Sequence, residues 1–198
     1  MIEDKDKNNN NTRSQHIMEF YEAAYDIPLP RTKVLAHIAG PSGSGKTELA
    51  NQLSGVIRNI VFRDLDEFDD VTIDTLGWTN IDKNDYTDHM LRQLVNYRQE
   101  LISQFIQKSF QPIVFVGHHV EAGYVTLFHA PVRIVLNVSP RTAAVRRYKR
   151  YDYTKERLQR DIEIGQEDVR YLRSHGYILM SPRQVYNIMV KWSRQLSR

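Results

Sequence analysis

The sequence predicts an α/β domain of three layers, αβα, around a five-stranded parallel sheet. Two observations carry this reading. Short apolar runs of strand length alternate with longer helical runs, the pattern of a parallel sheet covered on both faces. A glycine-rich loop, Gly40-Pro41-Ser42-Gly43-Ser44-Gly45-Lys46-Thr47, joins the first apolar run to a helical one.

Taken in order, "HIMEFYEAAY" (16–25) has the spacing of a short amphipathic helix, and the prolines of "DIPLPR" stop it. "KVLAHIAG" (33–40) is an apolar strand that ends at glycine, and "TELANQLSGVI" after the loop is helical. "NIVFRDLDEF" (59–68) reads as a strand with carboxylates at its end, and a polar, Asp-rich connection runs on to about residue 84. A long helix is expected over 85–109, with Met90, Leu94, Leu101, Phe105 and Ile106 near one face. "QPIVFVGHH" (111–119) and "VRIVLNV" (132–138) are strands of the buried type. Ser139-Pro140 opens a helix through Arg150, because proline suits the first helical position. Residues 154–175 are helical with Gly165 inside, "YILM" (177–180) is the last strand, and Ser181-Pro182 begins a final helix. The apolar stripe of that helix is Val185, Ile188, Met189, Trp192 and Leu196.

A chain of 198 residues fits one domain, and a chain of this size buries roughly 70% of its unfolded surface. Residues 1–14 are polar and read as a disordered tail, leaving 15–198 as the domain. The formal charge of +3 gives no strong case for nucleic acid, and the absence of cysteine excludes disulfides and thiolate metal sites. No run approaches the ~20 apolar residues of a membrane span, and the N-terminus lacks the apolar centre of a signal peptide. The expectation is a soluble, cytoplasmic protein.

The glycine loop fits G-x-x-x-x-G-K-[ST], and each part has a physical task. The glycines of Gly40, Gly43 and Gly45 permit the turns that aim successive N–H groups inward, with Ser42 and Ser44 between them. The helix behind the loop adds the positive end of its dipole. Lys46 can reach β- and γ-phosphates, and the Thr47 hydroxyl can ligate Mg²⁺. ATP with Mg²⁺ is the expected cofactor pair. Rival loop-bearing classes lack their own chemistry here. The nearest guanine-reading motif, "DKND" (82–85), has the wrong first residue, and "LSGV" (53–56) sits on the loop's own helix rather than far downstream. The strand "IVFVGHH" ends in histidines where a motor ATPase carries an acidic pair.

The carboxylates instead follow the second strand, at Asp64-Leu65-Asp66-Glu67. In an extended chain, alternation would point Asp64 and Asp66 to one side, and strand C-termini face the ligand crevice of such a sheet. One of the pair can then hold the metal through water, Asp64 being the expected ligand, and either Asp64 or Asp66 can accept a proton from a substrate hydroxyl or orient an acceptor. Asp69 and Asp70 read as a solvated acidic turn.

"GPSGSGKT" followed by "VFRDLDEF" resembles the P-loop kinases of small molecules: nucleoside and nucleoside-monophosphate kinases and the shikimate- and gluconate-kinase-like enzymes. A further likeness lies in "VSPRTAAVRRYKR" (138–150), which is similar to the segment of adenylate-kinase-like proteins that enters the lid. The resemblance implies a sheet of order 2-3-1-4-5 and a short lid at about 147–160. It implies that Arg146 stacks on adenine, that Arg150 touches ATP phosphates, and that Arg157 or Arg160 closes over the transferred group. It also places Trp78 in the connection that covers the acceptor and Arg92 on a helix flanking it, while Arg98 reads as a surface charge. Residues 141–160 hold eight cations against Asp152 and Glu156, a cluster that suits closure on an anion.

His118, His119, Glu121 and His129 suggest a metal, but zinc-deaminase chemistry needs a cysteine pair that the chain lacks. His118 or His119 is read as an acceptor-side hydrogen-bonding residue. The expected function is Mg-ATP-dependent transfer of the γ-phosphoryl group to a small-molecule acceptor, a nucleoside or nucleotide. The alternatives are a polynucleotide 5′-hydroxyl kinase and a non-catalytic nucleotide-binding protein.

Overall fold

The computed structural model describes residues 27–82, 85–117, 130–151 and 154–198, with Arg150 and Tyr151 described in backbone alone. The expected tail (1–14), the helix at 16–25, and His118, His119, Glu121 and His129 lie outside the described residues.

Five parallel strands form the sheet: β1 (Val34–Ala39), β2 (Val61–Asp64), β3 (Ile113–Val116), β4 (Val132–Leu136) and β5 (Ile178–Met180). Their order is β2-β3-β1-β4-β5, as expected. Six helices accompany them among the described residues: α1 (Lys46–Val56), α2 (Asp66–Thr75), α3 (Asp88–Lys108), α4 (Pro140–Tyr151), α5 (Lys155–Ser174) and α6 (Pro182–Leu196). The chain runs outward from central β1 to one side and returns across it to the other. That reversal opens a crevice at the carboxyl ends of β1 and its neighbours, where ligands of open α/β sheets bind.

Every residue of β1 is buried, because helices cover both faces of the sheet. On one face Leu49 and Leu53 of α1 and Val185, Ile188, Met189 and Trp192 of α6 pack with Ile38, Val116, Ile134 and Leu136. On the other, Phe68 of α2 and Ile102 of α3 close over Phe115 and Leu65, while Leu172 of α5 and Tyr177 cover Ala39 and Val135. Trp192 is fully buried, and its indole N–H donates to the Ile27 carbonyl at 3.1 Å, so the large ring leaves no orphaned donor in the core. Caps fix the helix starts: Thr87 for α3, Thr154 for α5, and a Ser181–Gln184 capping box for α6.

Three sequence expectations need correction. The segment after β2 is a helix, α2, and not a polar connection. Asp66, Glu67 and Asp69 fall in its first turn, where negative charge favours the helix dipole, and Phe68 and Thr72 turn inward. Arg98 is not a surface charge. It is 2% exposed and ion-paired with Asp69, so that carboxylate is no solvated turn either. The charge density of this region hid an amphipathic helix whose inward acid is matched by a buried guanidinium.

Candidate functional site

The glycine loop leaves β1 at the crevice and feeds directly into α1. Gly45 is the residue before the helix, in the left-handed region, and no side chain caps the helix start. The first N–H groups of α1 therefore face the loop's own concavity, an arrangement that favours an anion. Inside the loop the Ser44 N–H donates to the Pro41 carbonyl at 3.0 Å, and Ser44 is buried. Ser42 is exposed beside it.

Gly43 shows why this loop tolerates no side chain. Its φ is +86°, and a Cβ there would stand 2.4 Å from the backbone oxygen of Ala143 on α4. Gly165 of α5 is also closely packed though less tightly, with a Cβ position 3.2 Å from Pro140 and 3.4 Å from Pro41. The loop is thus wedged against the α4–α5 hairpin at two glycines. Gly43→Ala is expected to lower unfolding free energy by about 1–3 kcal/mol and to displace α4 from the loop. A urea melt checks this, and an unchanged midpoint would contradict the close packing.

Lys46 is buried, and its ammonium donates to the carbonyls of Gly40 at 2.8 Å and Pro41 at 3.2 Å. Burial pushes its pKa down to about 8; Asp66, Asp64 and Asp168 favour the charge, and Arg147 works against it. Thr47 lies one residue on, and its hydroxyl donates to Asp64 Oδ2 at 2.7 Å. The other oxygen of Asp64 accepts the Asp66 N–H at 3.1 Å. Asp64 therefore ties the end of β2 to the start of both α1 and α2.

The extended-chain argument for the two carboxylates is replaced by this turn. Asp64 ends β2, Leu65 is αR, and Asp66 is the first residue of α2. The pair converges on Lys46 through a strand-to-helix turn rather than through strand alternation. The hydroxyl of Thr47 and the carboxylate of Asp64 are hard oxygen donors, which fits Mg²⁺, an ion that takes few protein ligands and completes its shell with phosphates and water. Among the described residues no group of three His, Cys, Asp or Glu is placed to hold a metal, so a caged transition-metal centre has no support there.

Arg146 and Arg147 approach the loop from α4. Nη1 of Arg146 lies 3.7 Å from where a Cβ on Gly45 would stand, and Cγ of Arg147 lies 3.1 Å from the corresponding point on Gly43. Arg147 also pairs with Asp161 of α5 at 3.1 Å. The side chain of Arg150 lies outside the described residues. Arg157 and Arg160 line an open cleft at the start of α5 with Thr154, Glu156, Asp161 and Ile164.

The residues expected on the acceptor side are less converged. Trp78, after α2, packs edge-on against Tyr86 with ring centroids 5.6 Å apart. Arg92 is exposed on α3 and its Nε donates to the Asp88 carbonyl of its own helix at 3.4 Å. The structure thus brings together Gly40, Gly43, Gly45, Lys46, Thr47, Asp64, Asp66 and Arg146, and leaves Arg92 bonded to its own helix. Asp161 and Asp168 were not found from sequence. Both reach the loop region only because α5 folds back on α4, and no local spacing encodes that approach.

The family model described as "AAA domain" matches residues 37–169. Among solved structures, the chain is similar to TT1252 from Thermus thermophilus, at 11% identity and a TM-score of 0.58 over 83% of this chain and 96% of that one. It is similar to a gluconokinase from Sinorhizobium meliloti 1021, at 15% identity and a TM-score of 0.51 over 85% and 98%. It is also similar to shikimate kinase from Bacteroides thetaiotaomicron, at 14% identity and a TM-score of 0.53 over 83% and 99%. At these identities the likeness is one of fold, and the fold is that of the P-loop small-molecule kinases. No curated protein matches the chain in sequence. Among the described residues no helix is long and apolar enough to cross a membrane.

Proposed function

We propose that this chain, which belongs to the AAA domain family by the match over residues 37–169, is a Mg-ATP-dependent phosphotransferase. Its γ-phosphoryl acceptor is a small molecule, a nucleoside or nucleotide. One observation supports this above all others: beside the loop lysine, which bonds the Gly40 carbonyl at 2.8 Å, the Thr47 hydroxyl donates to Asp64 at 2.7 Å and Asp64 in turn accepts the Asp66 N–H at 3.1 Å.

In this reading the loop amides and the α1 N-terminus bind the phosphate tail, and Lys46 leaves the Gly40 and Pro41 carbonyls to neutralise the β- and γ-oxygens. Its depressed pKa records how poorly burial alone supports the charge, and an incoming phosphate restores it. Thr47 and Asp64 would hold Mg²⁺, which would offset phosphate charge. Asp66 accepts the proton of the acceptor hydroxyl as that oxygen forms a bond to the γ-phosphorus and the bond to the β-phosphate oxygen breaks. Arg146, set against Gly45, meets the nucleotide, and the segment from 147 to 160, including Arg150, forms a short lid. Trp78, Arg92 and His118 are assigned to the acceptor side. Residues 15–198 form one domain, acting where cytoplasmic ATP is available.

The test is transfer from γ-labelled ATP across a panel of nucleosides, nucleotides, sugar acids and an oligonucleotide with a 5′-hydroxyl. Label on a nucleoside or nucleotide is expected. ATP hydrolysis with no labelled product anywhere in the panel counts against a transferase, and label on the oligonucleotide alone moves the acceptor to nucleic acid.

A further inference from the structure

Arg147 and Asp161 form an ion pair that the proposed reaction leaves without a task. A cross-helix pair on an exposed surface would do little beyond joining α4 to α5. This pair stands elsewhere. Its side chains are 27% and 10% exposed, and both line a cleft together with Pro41 and Ser42 of the glycine loop and Asp168 of α5. The stem of Arg147 crosses Gly43, the loop residue with no room for a side chain. Pro41 and Ser42 open the loop, and Lys46 bonds to the carbonyls of Gly40 and Pro41 at the same end. That end belongs to the β- and γ-phosphates, because those are the groups the loop lysine reaches.

We propose that Arg147 is a binding residue for the terminal phosphate of a nucleoside triphosphate, and that Asp161 is the positioning residue that holds its guanidinium at the Pro41–Ser42 side of the loop. The inference rests on the nucleotide-binding part of the function given above. Lys46, bonded to the Pro41 carbonyl, and Arg147, lining a cleft with Pro41 and Ser42, are two cations at the same end of the loop. Such crowding is unfavourable by itself and is relieved when a phosphate sits between them. Asp161 and Asp168 offset part of the repulsion meanwhile. Both come from α5, so the helix that follows the lid sets where the arginine lies. A guanidinium matches phosphate oxygens in a planar, forked geometry that a lysine cannot reproduce.

The test compares two ligands on the full chain by titration calorimetry with Mg²⁺: ADP and a non-hydrolysable ATP analogue. Arg147→Met is expected to weaken the ATP analogue about 10- to 100-fold and ADP by less than about threefold. Asp161→Asn is expected to shift the same ratio in the same direction but less, and Arg147→Lys to recover only part of the loss. A thermal melt of each variant accompanies the titration. If ADP and the analogue weaken equally, or neither weakens, Arg147 is a helix-packing residue and the inference is wrong. If the parent binds neither nucleotide, the inference falls together with the reading beneath it. If the variants discriminate as described yet the parent transfers no phosphoryl group, the inference stands and the transferase assignment alone fails.

Discussion

Lys46→Met is expected to lower kcat for phosphoryl transfer by about 10³-fold, the scale on which one preorganised charge acts on a transition state. The fold should not suffer. Burial holds the Lys46 ammonium at about 8 against an ordinary value of 10.5, so the folded chain disfavours a charge that the unfolded chain carries freely at pH 7. The sign of the linkage follows. A group that binds its proton less tightly when folded costs stability below its folded pKa, and the cost fades as pH rises from about 8 toward 10.5. The methionine variant should therefore melt no lower than the parent at pH 7, and the gap between them should narrow above pH 8. A dead variant with a lowered melting temperature at pH 7 would mean that Lys46 mainly braces the loop through Gly40 and Pro41.

The second large effect is expected at Asp66. Asp66→Asn keeps the shape and the helix position but removes the proton acceptor, and kcat should fall by about 10²- to 10⁴-fold. Nucleotide affinity should stay near that of the parent, because the phosphate cradle is built from the loop and α1. Asp64→Asn should behave differently. Asp64 accepts from Thr47 at 2.7 Å and from the Asp66 N–H at 3.1 Å, so its loss should raise the Mg²⁺ concentration needed for half-maximal rate. Steady-state kinetics at varied Mg²⁺ separate the two. If both variants raise the Mg²⁺ requirement and neither lowers the saturated rate, the assignment of base and metal ligand is mistaken.

Much of this fold is written locally. Five apolar runs, the glycine loop and the Ser181-Pro182 helix start specify their elements through residues adjacent in sequence, and each run holds a strand, although the second ends at Asp64 and not at Phe68. The loop's partners Lys46 and Thr47 were legible for the same reason. What could not be read depends on long-range approach or on charge density. Helix α2 escaped because its inward face is only Phe68 and Thr72 among acids. Arg98 looks like a surface charge until Asp69, 29 residues away, is brought beside it. Asp161 meets Arg147 only through the α4–α5 hairpin. Asp64 and Asp66 come together by a geometry other than the one read from sequence, since a helix start rather than an extended strand carries Asp66.

The central claim is that the loop holds the triphosphate with its terminal group directed at Asp66. A crystal structure of the full chain with Mg²⁺ and a non-hydrolysable ATP analogue tests it most directly. The account predicts the terminal phosphate against Lys46, the metal at Thr47 and Asp64, and the Asp66 carboxylate facing the γ-phosphorus from the side opposite the β-phosphate. A terminal phosphate directed away from Asp66, with that carboxylate turned to solvent, would contradict it.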